Sequence, residues 1–448
     1  MMNPSAVNDD LPLTVKNYLN KNALTGWRLE LQGSRKFNNI IVVPAIEEYD
    51  NIPHLLGSLA ANDPKFFSET LVVIVVNNRI HDSSGVKTGN EKSISLLRSL
   101  IARDSADQLC GLINRKGLNL GLIDASSPGL ELPEKDGGVG LARKIGMDSS
   151  LKYFDYSNNR KKLLICLDAD CIVEPGYLSA IVGNFNENGF KAAYAVCEHR
   201  LEGTEKEILA IICYEIFLRY YVLGLKYAGS PFAFPAIGST MVCDYESYIK
   251  IGGMNKKKAA EDFYFMEKLA KITTVREINS AYVYPSNRGS WRVPFGTGQR
   301  VNRFVAGTHR EYLLYNPESF VILKKWLALF GAEDVRSAEE YLSGAVKIHP
   351  ALHDFLLRNS FRDDWEKIIR NSKLDAQIRK QKILWFDGFR TLKLIHFLRD
   401  SGLEQLLMFD AVDELLALMN SPAGIERSGE IPPLNIQLEY LNRLRRMK

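Results

Sequence analysis

The sequence contains little cysteine and no large excess of charge of either sign. Its 448 residues include only six cysteines, without a CxxC pair, which argues against a zinc site and against a disulfide-stabilised scaffold. The 57 basic and 53 acidic residues leave a net charge of +4, whereas a dedicated nucleic-acid-binding protein carries a dense basic patch. We therefore expect buried, reduced thiols, a cytoplasmic location and no nucleic-acid partner.

Hydrophobic runs of the kind that cross a membrane are also lacking. The first ten residues are polar and have no apolar core like that of a signal peptide. The longest apolar stretch, 208–225, is interrupted by Glu215 and Arg219, which favours a buried helix over a membrane span. The sequence therefore predicts no transmembrane segment.

Several catalytic signatures are absent as well. The sequence has no GxSxG elbow and no P-loop, so serine hydrolases and P-loop nucleotidases are disfavoured. What is present is a composition of 46% hydrophobic and 25% charged residues, typical of globular domains. At about 150 residues per domain, this length predicts two or three domains.

Two regions of different character divide the chain. The first alternates short apolar runs with helical patterns, which is typical of an α/β sheet with parallel strands. The predicted strands lie at 39–43, 71–76, 163–167, near 191–197 and at 236–243. Only helical periods follow residue 304 or so. The predicted organisation is an N-terminal extension at 1–37, an α/β domain at 38–303 and an all-α domain at 304–448.

Two loops are predicted immediately after apolar, strand-like runs, at 80–90 and 124–138. In open α/β sheets, ligands bind beyond the carboxyl ends of the parallel strands. We therefore expect a binding site at that edge of the sheet.

The strongest candidate for chemistry is a pair of carboxylates at the end of a buried strand. The apolar run 163–167 leads directly into Asp168 and Asp170. Alternation along a strand directs residues i and i+2 to the same side. Mg²⁺ and Mn²⁺ bind carboxylate oxygens and complete their coordination with phosphate and water. The pattern therefore favours a Mg or Mn site over a simple turn cap.

A glycine-rich segment, 137–146, leads into a predicted helix. Glycines permit a close approach of the backbone to a ligand, and the helix N-terminus favours anions. Arg143 and Lys144 add positive charge, although Arg143 occupies the third glycine position of the dinucleotide-binding fingerprint. Taken alone, the segment fits a phosphate site and an ordinary loop before a helix equally well.

Two further segments carry candidate residues. Glu261 and Asp262 open a predicted helix, where the helix dipole alone also favours carboxylates. The second segment combines glycine with aromatic and guanidinium groups, which suits sugar stacking and phosphate pairing. Its candidate residues are Arg288, Trp291, Gln299 and Arg300.

In this order, the motifs resemble those of a family 2-like glycosyltransferase with a GT-A fold, over about residues 38–303. The segment 42–48 resembles the opening motif of the family, with Glu48 at the better-matching carboxylate position. The run 137–146 resembles the Gly/Ala-Arg-Asn-x-Gly segment. Asp168 and Asp170 resemble the DxD motif, and 261–262 resembles the acidic pair on the acceptor side.

The chain departs from the family pattern at two places. Asn77 and Asn78 replace the usual aspartates after the second strand. Since an amide both donates and accepts hydrogen bonds, uracil, guanine and cytosine all remain open as the donor base. Gln299 and Arg300, followed by Arg303, resemble the Gln-x-x-Arg-Trp motif of processive synthases, but one residue is inserted and Trp is absent. Processivity is therefore not implied.

The resemblance implies a bacterial-type enzyme with a Rossmann-like mixed sheet and an appended helical domain. It would transfer a sugar from a UDP, GDP or CDP sugar to the hydroxyl of an unknown glycan, lipid or small molecule. Asp262, with Glu261 beside it, would act as general base in an inverting displacement. Asp170 and Asp168 would hold Mg or Mn. The donor would be bound by Pro44, Glu48, Asn78, Arg143 and Asp168.

Other interpretations remain open. The resemblance also fits a retaining transferase of the same fold, or a catalytically degenerate protein that binds nucleotide sugars or glycans. A sugar-phosphate nucleotidyltransferase is disfavoured, because no glycine follows Val43 until Gly57. For the helical domain, three roles are compatible with the sequence: shaping the acceptor site, forming a homodimer, or peripheral contact with the inner face of a membrane.

Overall fold

A computed structural model describes residues 11–104, 108–289 and 296–447. The chain forms two compact units. The sheet unit contains the described residues within Met1–Arg200, Ala236–Asn287 and Trp291–Gly296, and the helical unit contains those within Leu201–Pro235, Arg288–Ser290 and Thr297–Lys448.

Among the described residues, nine strands form one sheet in the sheet unit. They are β1 (Leu29–Leu31), β2 (Asn39–Ala45), β3 (Thr70–Asn77), β4 (Asn119–Ala125), β5 (Leu163–Cys166), β6 (Ile172–Val173), β7 (Ala192–Cys197), β8 (Met241–Asp244) and β9 (Val275–Tyr284). Their order is β1-β4-β3-β2-β5-β8-β7-β9-β6. The neighbours β4, β3, β2 and β5 are parallel, whereas β8 is antiparallel to β5 and β7. This mixed sheet confirms the predicted α/β class.

Helices cover both faces of the sheet. Numbered along the whole chain, those of the sheet unit are α1 (Leu13–Asn22), α2 (Ile52–Ala60), α3 (Ser84–Ala102), α4 (Gln108–Lys116), α5 (Val139–Ser150), α6 (Tyr177–Glu187), α8 (Tyr245–Lys250) and α9 (Glu261–Ala270). Successive strand residues point to opposite faces. Ile41 therefore packs in a core with Leu55 of α2 and Leu97 of α3. Val42 faces α5, where an added Cβ at Gly146 would overlap it.

The region after residue 304 is helical, as predicted. The helices of the helical unit are α7 (Glu205–Tyr227), α10 (Thr297–Ala306), α11 (Glu318–Phe330), α12 (Ala338–Ile348), α13 (Pro350–Arg358), α14 (Phe361–Asn371), α15 (Asp375–Trp385), α16 (Gly388–Asp400), α17 (Met408–Leu418) and α18 (Leu434–Arg445). Two short strands that the sequence did not predict, β10 (Leu313–Leu314) and β11 (Leu406–Leu407), pair antiparallel in the same unit.

One helix of the described chain, α7, is long and apolar enough to cross a membrane by length and composition alone. Buried core helices meet the same criterion, and 56% of its most apolar window is buried. Ile212 and Tyr220 lie in the core of the helical unit. Glu215 accepts hydrogen bonds of 2.8 Å from Arg219 and Arg445. These contacts are those expected of a core helix.

The core of the helical unit is built around aromatic rings and one buried cation. Trp326 and Phe330 stack with their ring centroids 4.9 Å apart. Lys382, only 4% exposed, donates to the carbonyl oxygens of Ala332 and Asp334 at 2.7 and 3.0 Å. These carbonyls belong to the segment between α11 and α12, so the ammonium of Lys382 joins this segment to α15.

The six cysteines are free and buried as predicted, whereas two local predictions were inaccurate. The predicted loop 80–90 is wrong, because α3 begins at Ser84, with Ser83 as its N-cap. The predicted strand 236–243 is instead a 3-10 turn at Gly238–Thr240 followed by β8. The sequence did not predict β9, since polar residues interrupt its apolar alternation.

Candidate active site

Polar residues from four strands meet at one edge of the sheet unit. The strands β2, β3, β4 and β5 are parallel, so their carboxyl ends lie together. The segments after these strands carry Glu48, Asn78, Ser126 and Asp168 respectively. We call this side the carboxyl edge.

Arg143 joins two of the predicted acidic residues. Its side chain comes from α5 and is only 2% exposed. One terminal nitrogen, Nη1, donates to Oε1 of Glu261, and the other, Nη2, donates to Oδ1 of Asp168. The Glu261 side chain is 5% exposed and that of Asp168 is 37% exposed. Asp168 and Glu261, which lie 25 and 118 positions from Arg143 in the sequence, thus form one ion-paired cluster with it.

Two glycines permit this close packing. An added Cβ at Gly238 would overlap the guanidinium of Arg143. At Gly140, it would lie 2.9 Å from the Cβ of Glu261 and 3.1 Å from the carbonyl oxygen of Asn255. Asn255 also donates through Nδ2 to the carbonyl oxygen of Glu261 at 2.8 Å. Gly140 therefore lets α5 pack closely against the loop that precedes α9.

Burial and charge shift the proton affinities in this cluster. Burial lowers the pKa of Arg143, but Asp168 and Glu261 outweigh that effect and raise it overall, so the guanidinium stays charged. Burial raises the pKa of Glu261 from its ordinary value of 4.5 to about 7; Arg143 opposes this rise and Asp262 adds to it. The pKa of Asp262 is also raised, chiefly by burial.

Glu261 and Asp262 occupy different surroundings, although both begin α9. Glu261 is buried and held by Arg143. The half-buried Asp262 accepts a hydrogen bond of 2.7 Å from the backbone N–H of Phe263. Asp262 is therefore the more accessible of the two carboxylates for proton exchange.

Asp170 lies two residues beyond Asp168 and is half-buried. Arg200 donates through Nη2 to its carbonyl oxygen at 3.2 Å. In residues 11–104, 108–289 and 296–447, no group of three or more His, Cys, Asp or Glu side chains could hold a metal ion. Two carboxylates nevertheless suit Mg²⁺ or Mn²⁺, which commonly retain water and bind substrate phosphate oxygens. The donor set fits such an ion as a partial protein site.

The structure adds a residue that the sequence did not single out. Asn90 of α3 is fully buried and lies between the segments that follow β2, β3 and β4. It hydrogen-bonds to Glu47, Asn77, Asn78 and Ser126. No sequence signal identifies it, because these partners come from three separate segments.

The other predicted donor-binding residues also lie at or near the carboxyl edge. Pro44 is buried in β2 beside Val75 of β3. Glu48, only 6% exposed, accepts a hydrogen bond of 2.6 Å from Asn51. Asn78 is buried, and its side chain is hydrogen-bonded within the protein. Their roles in nucleotide binding stay predictions.

Three of the four predicted residues of segment 288–300 lie in the helical unit, and the fourth lies outside the described residues. Arg288, Gln299 and Arg300 belong to the helical unit, where Arg300 pairs with Glu311 and lies 4.7 Å from the ring centroid of Phe217. Trp291 lies outside the described residues. Their roles toward acceptor or phosphate stay predictions.

The chain has remote similarity to solved glycosyltransferase structures. With S. aureus TarS 1-349 in complex with UDP-GlcNAc, it shares 14% identity and a TM-score of 0.37, covering 82% of this chain and 92% of that chain. With the mannosyltransferase PcManGT from Pyrobaculum calidifontis in complex with GDP-Man and Mn²⁺, the identity is 13% and the TM-score 0.35, covering 96% and 91%. No protein-family model and no curated protein matches the sequence.

Proposed function

We propose that this chain transfers a sugar from a nucleoside-diphosphate sugar to a hydroxyl group, at the carboxyl edge of a GT-A-type sheet. The observation that carries this proposal is the ion-paired Asp168–Arg143–Glu261 cluster, with Asp170 and Asp262 adjoining it in the sequence. The cluster joins three elements: the end of the central strand β5, the helix α5, which follows the glycine-rich segment, and the start of α9. The motif resemblance assigns the donor side and the acceptor side of a transferase to these same elements.

The donor in this proposal is a UDP, GDP or CDP sugar whose diphosphate must leave. Asp170, together with Asp168, would hold Mg²⁺ or Mn²⁺ through carboxylate oxygens, as these ions prefer. When bound, the ion would offset the negative charge that develops on the diphosphate.

Asp262 would act as general base. Its carboxylate would take the proton of the acceptor hydroxyl while that oxygen bonds to the anomeric carbon and the bond from that carbon to the diphosphate oxygen breaks. This single displacement would invert the anomeric centre. The raised pKa of Asp262 supports this role, because a carboxylate of higher pKa is a stronger base once it is deprotonated.

Arg143 and Glu261 would position the reacting groups. Both terminal nitrogens of Arg143 already bind carboxylates, Asp168 on one side and Glu261 on the other. The guanidinium thereby fixes the end of β5 relative to the first turn of α9. A direct contact of Arg143 with the diphosphate stays a prediction from the resemblance.

Nucleotide binding tests the proposal. Calorimetric titration with UDP, GDP, CDP and dTDP, each with and without Mn²⁺, should show one nucleotide that binds more tightly with the ion. Asp170→Asn should abolish that gain, whereas Asp63→Asn, at an exposed carboxylate after α2, should retain it. Absence of binding by any nucleotide would overturn the donor site. Binding without turnover of the matching sugar nucleotides would favour the degenerate binding protein.

A further inference from the structure

The side chain of Asn90 hydrogen-bonds to three segments of the carboxyl edge at once. Its Oδ1 accepts the backbone N–H of Glu47, after β2, at 2.8 Å. Its Nδ2 lies 3.0 Å from the carbonyl oxygen of Asn77, 2.9 Å from Oδ1 of Asn78 and 3.1 Å from Oγ of Ser126, after β4. Asn90 itself is 0% exposed, so no water competes for these bonds.

The orientation of the Asn90 amide is fixed by its partners. The Glu47 N–H can only donate and the Asn77 carbonyl can only accept. If the amide were flipped by 180°, its Nδ2 would face the Glu47 N–H, donor against donor, and its Oδ1 would face the Asn77 carbonyl oxygen, acceptor against acceptor. Its two N–H hydrogens serve three acceptors, so one hydrogen is shared between neighbours. Aspartate at this position would lack the donors altogether.

The Glu47 hydrogen bond holds a strained backbone. Glu47 has a φ of 55°, in the left-handed region that residues other than glycine rarely adopt. Such strain persists only where the surroundings enforce it, and it concentrates at ligand-binding sites. The next residue is Glu48, which the family resemblance assigns to the nucleoside pocket.

The same network uses the polar atoms of the Asn78 side chain. Its Oδ1 accepts from Asn90 and from Oγ of Ser126, and its Nδ2 donates to the carbonyl oxygen of Arg79 at 3.0 Å. The buried Asn78 amide is therefore committed to holding the loops together.

We propose that Asn90 is the positioning residue of the nucleotide site, holding the segments after β2, β3 and β4 in the conformation that binds the nucleoside. This inference rests on the proposed function. It assigns to Asn90 an effect on nucleotide affinity that is separate from its contribution to stability.

The test compares two buried asparagines of the sheet unit. Asn62 is 1% exposed and joins α2 to α6 by accepting the Leu178 N–H at 2.9 Å, away from the carboxyl edge. Asn90→Ala and Asn62→Ala should both lower the unfolding temperature. Only Asn90→Ala should weaken binding of the preferred nucleotide among UDP, GDP, CDP and dTDP, by tenfold or more in Kd. Asn62→Ala should stay within twofold of the unmodified chain.

Two further variants test the inference, and the first of them keeps it testable if Asn90→Ala does not fold. Ser126→Ala removes one partner of Asn90 and should weaken nucleotide binding about threefold. Adding Glu47→Gly to Asn90→Ala should recover part of the lost affinity, since glycine adopts the left-handed conformation without strain. Unchanged nucleotide affinity in Asn90→Ala or Ser126→Ala, alongside normal binding by the unmodified chain, would overturn this inference alone. Absence of nucleotide binding by the unmodified chain would overturn the proposed function and this inference with it.

Discussion

Arg143 and Glu261 form a buried ion pair although 118 positions separate them in the sequence. Their side chains are only 2% and 5% exposed. A buried pair contributes little net stability when intact, but removing one partner leaves the other charge without compensation. The pair therefore makes the geometry of the candidate site sensitive to single substitutions.

Arg143→Met should lower the free energy of unfolding by about 3–5 kcal/mol, because Glu261 and Asp168 lose their shared cation. Urea unfolding followed by circular dichroism measures this loss. Arg160→Met removes a 61% exposed arginine that pairs with Glu69 and should cost less than about 1 kcal/mol. Adding Glu261→Gln to Arg143→Met should recover part of the loss. Equal losses for Arg143→Met and Arg160→Met would contradict the buried pair.

Gly140→Ala should destabilise the sheet unit by about 1–3 kcal/mol, the usual cost of overpacking. The added methyl would lie 2.9 Å from the Cβ of Glu261 and displace the start of α9. Gly57→Ala is the control, since Gly57 lies within α2 and nothing stands within 4 Å of its added Cβ. That variant should be neutral or slightly more stable. Thermal unfolding distinguishes them, and equal unfolding temperatures would contradict this account of Gly140.

The central strands and the acidic residues of the candidate site could be predicted from the sequence. The strands β2 and β3 are continuous apolar runs because parallel strands are buried on both faces. Asp168 and Asp170 stand out because they end such a run. The role of Asn90 could not be predicted, since its partners lie 12 to 43 positions away. The pairing of Arg143 with Glu261 likewise exists only once α5 and α9 pack together.

Lys382→Met should destabilise the helical unit by about 1–3 kcal/mol, because the carbonyls of Ala332 and Asp334 lose a buried charged donor. Lys380→Met, two positions earlier on the exposed side of α15, should change stability by less than about 0.5 kcal/mol. Urea unfolding of the two variants measures the difference. A loss of the same size in both would show that the buried ammonium contributes nothing specific.

The raised pKa of Glu261 should make the protein less stable as pH rises from 4.5 to 7. In that window, the folded state holds a proton on Glu261 that the unfolded chain releases, so the free energy of unfolding falls with rising pH. Glu261→Gln should flatten the profile by up to about 3 kcal/mol, measured by urea unfolding at each pH. Parallel profiles for Glu261→Gln and the unmodified chain would contradict the shift.

Asp262→Asn should lower the turnover of a bound sugar nucleotide by about 10²–10⁴-fold, the usual contribution of a general base. The nucleotide Kd should stay within about threefold, since the amide retains the shape of the side chain. Glu261→Gln should weaken turnover less, because Glu261 is held by Arg143 and acts through position. The assay is release of the nucleoside diphosphate as a function of pH, and activity should rise with pH as Asp262 deprotonates, because burial raises its pKa. Full turnover in Asp262→Asn would assign the proton transfer to another group.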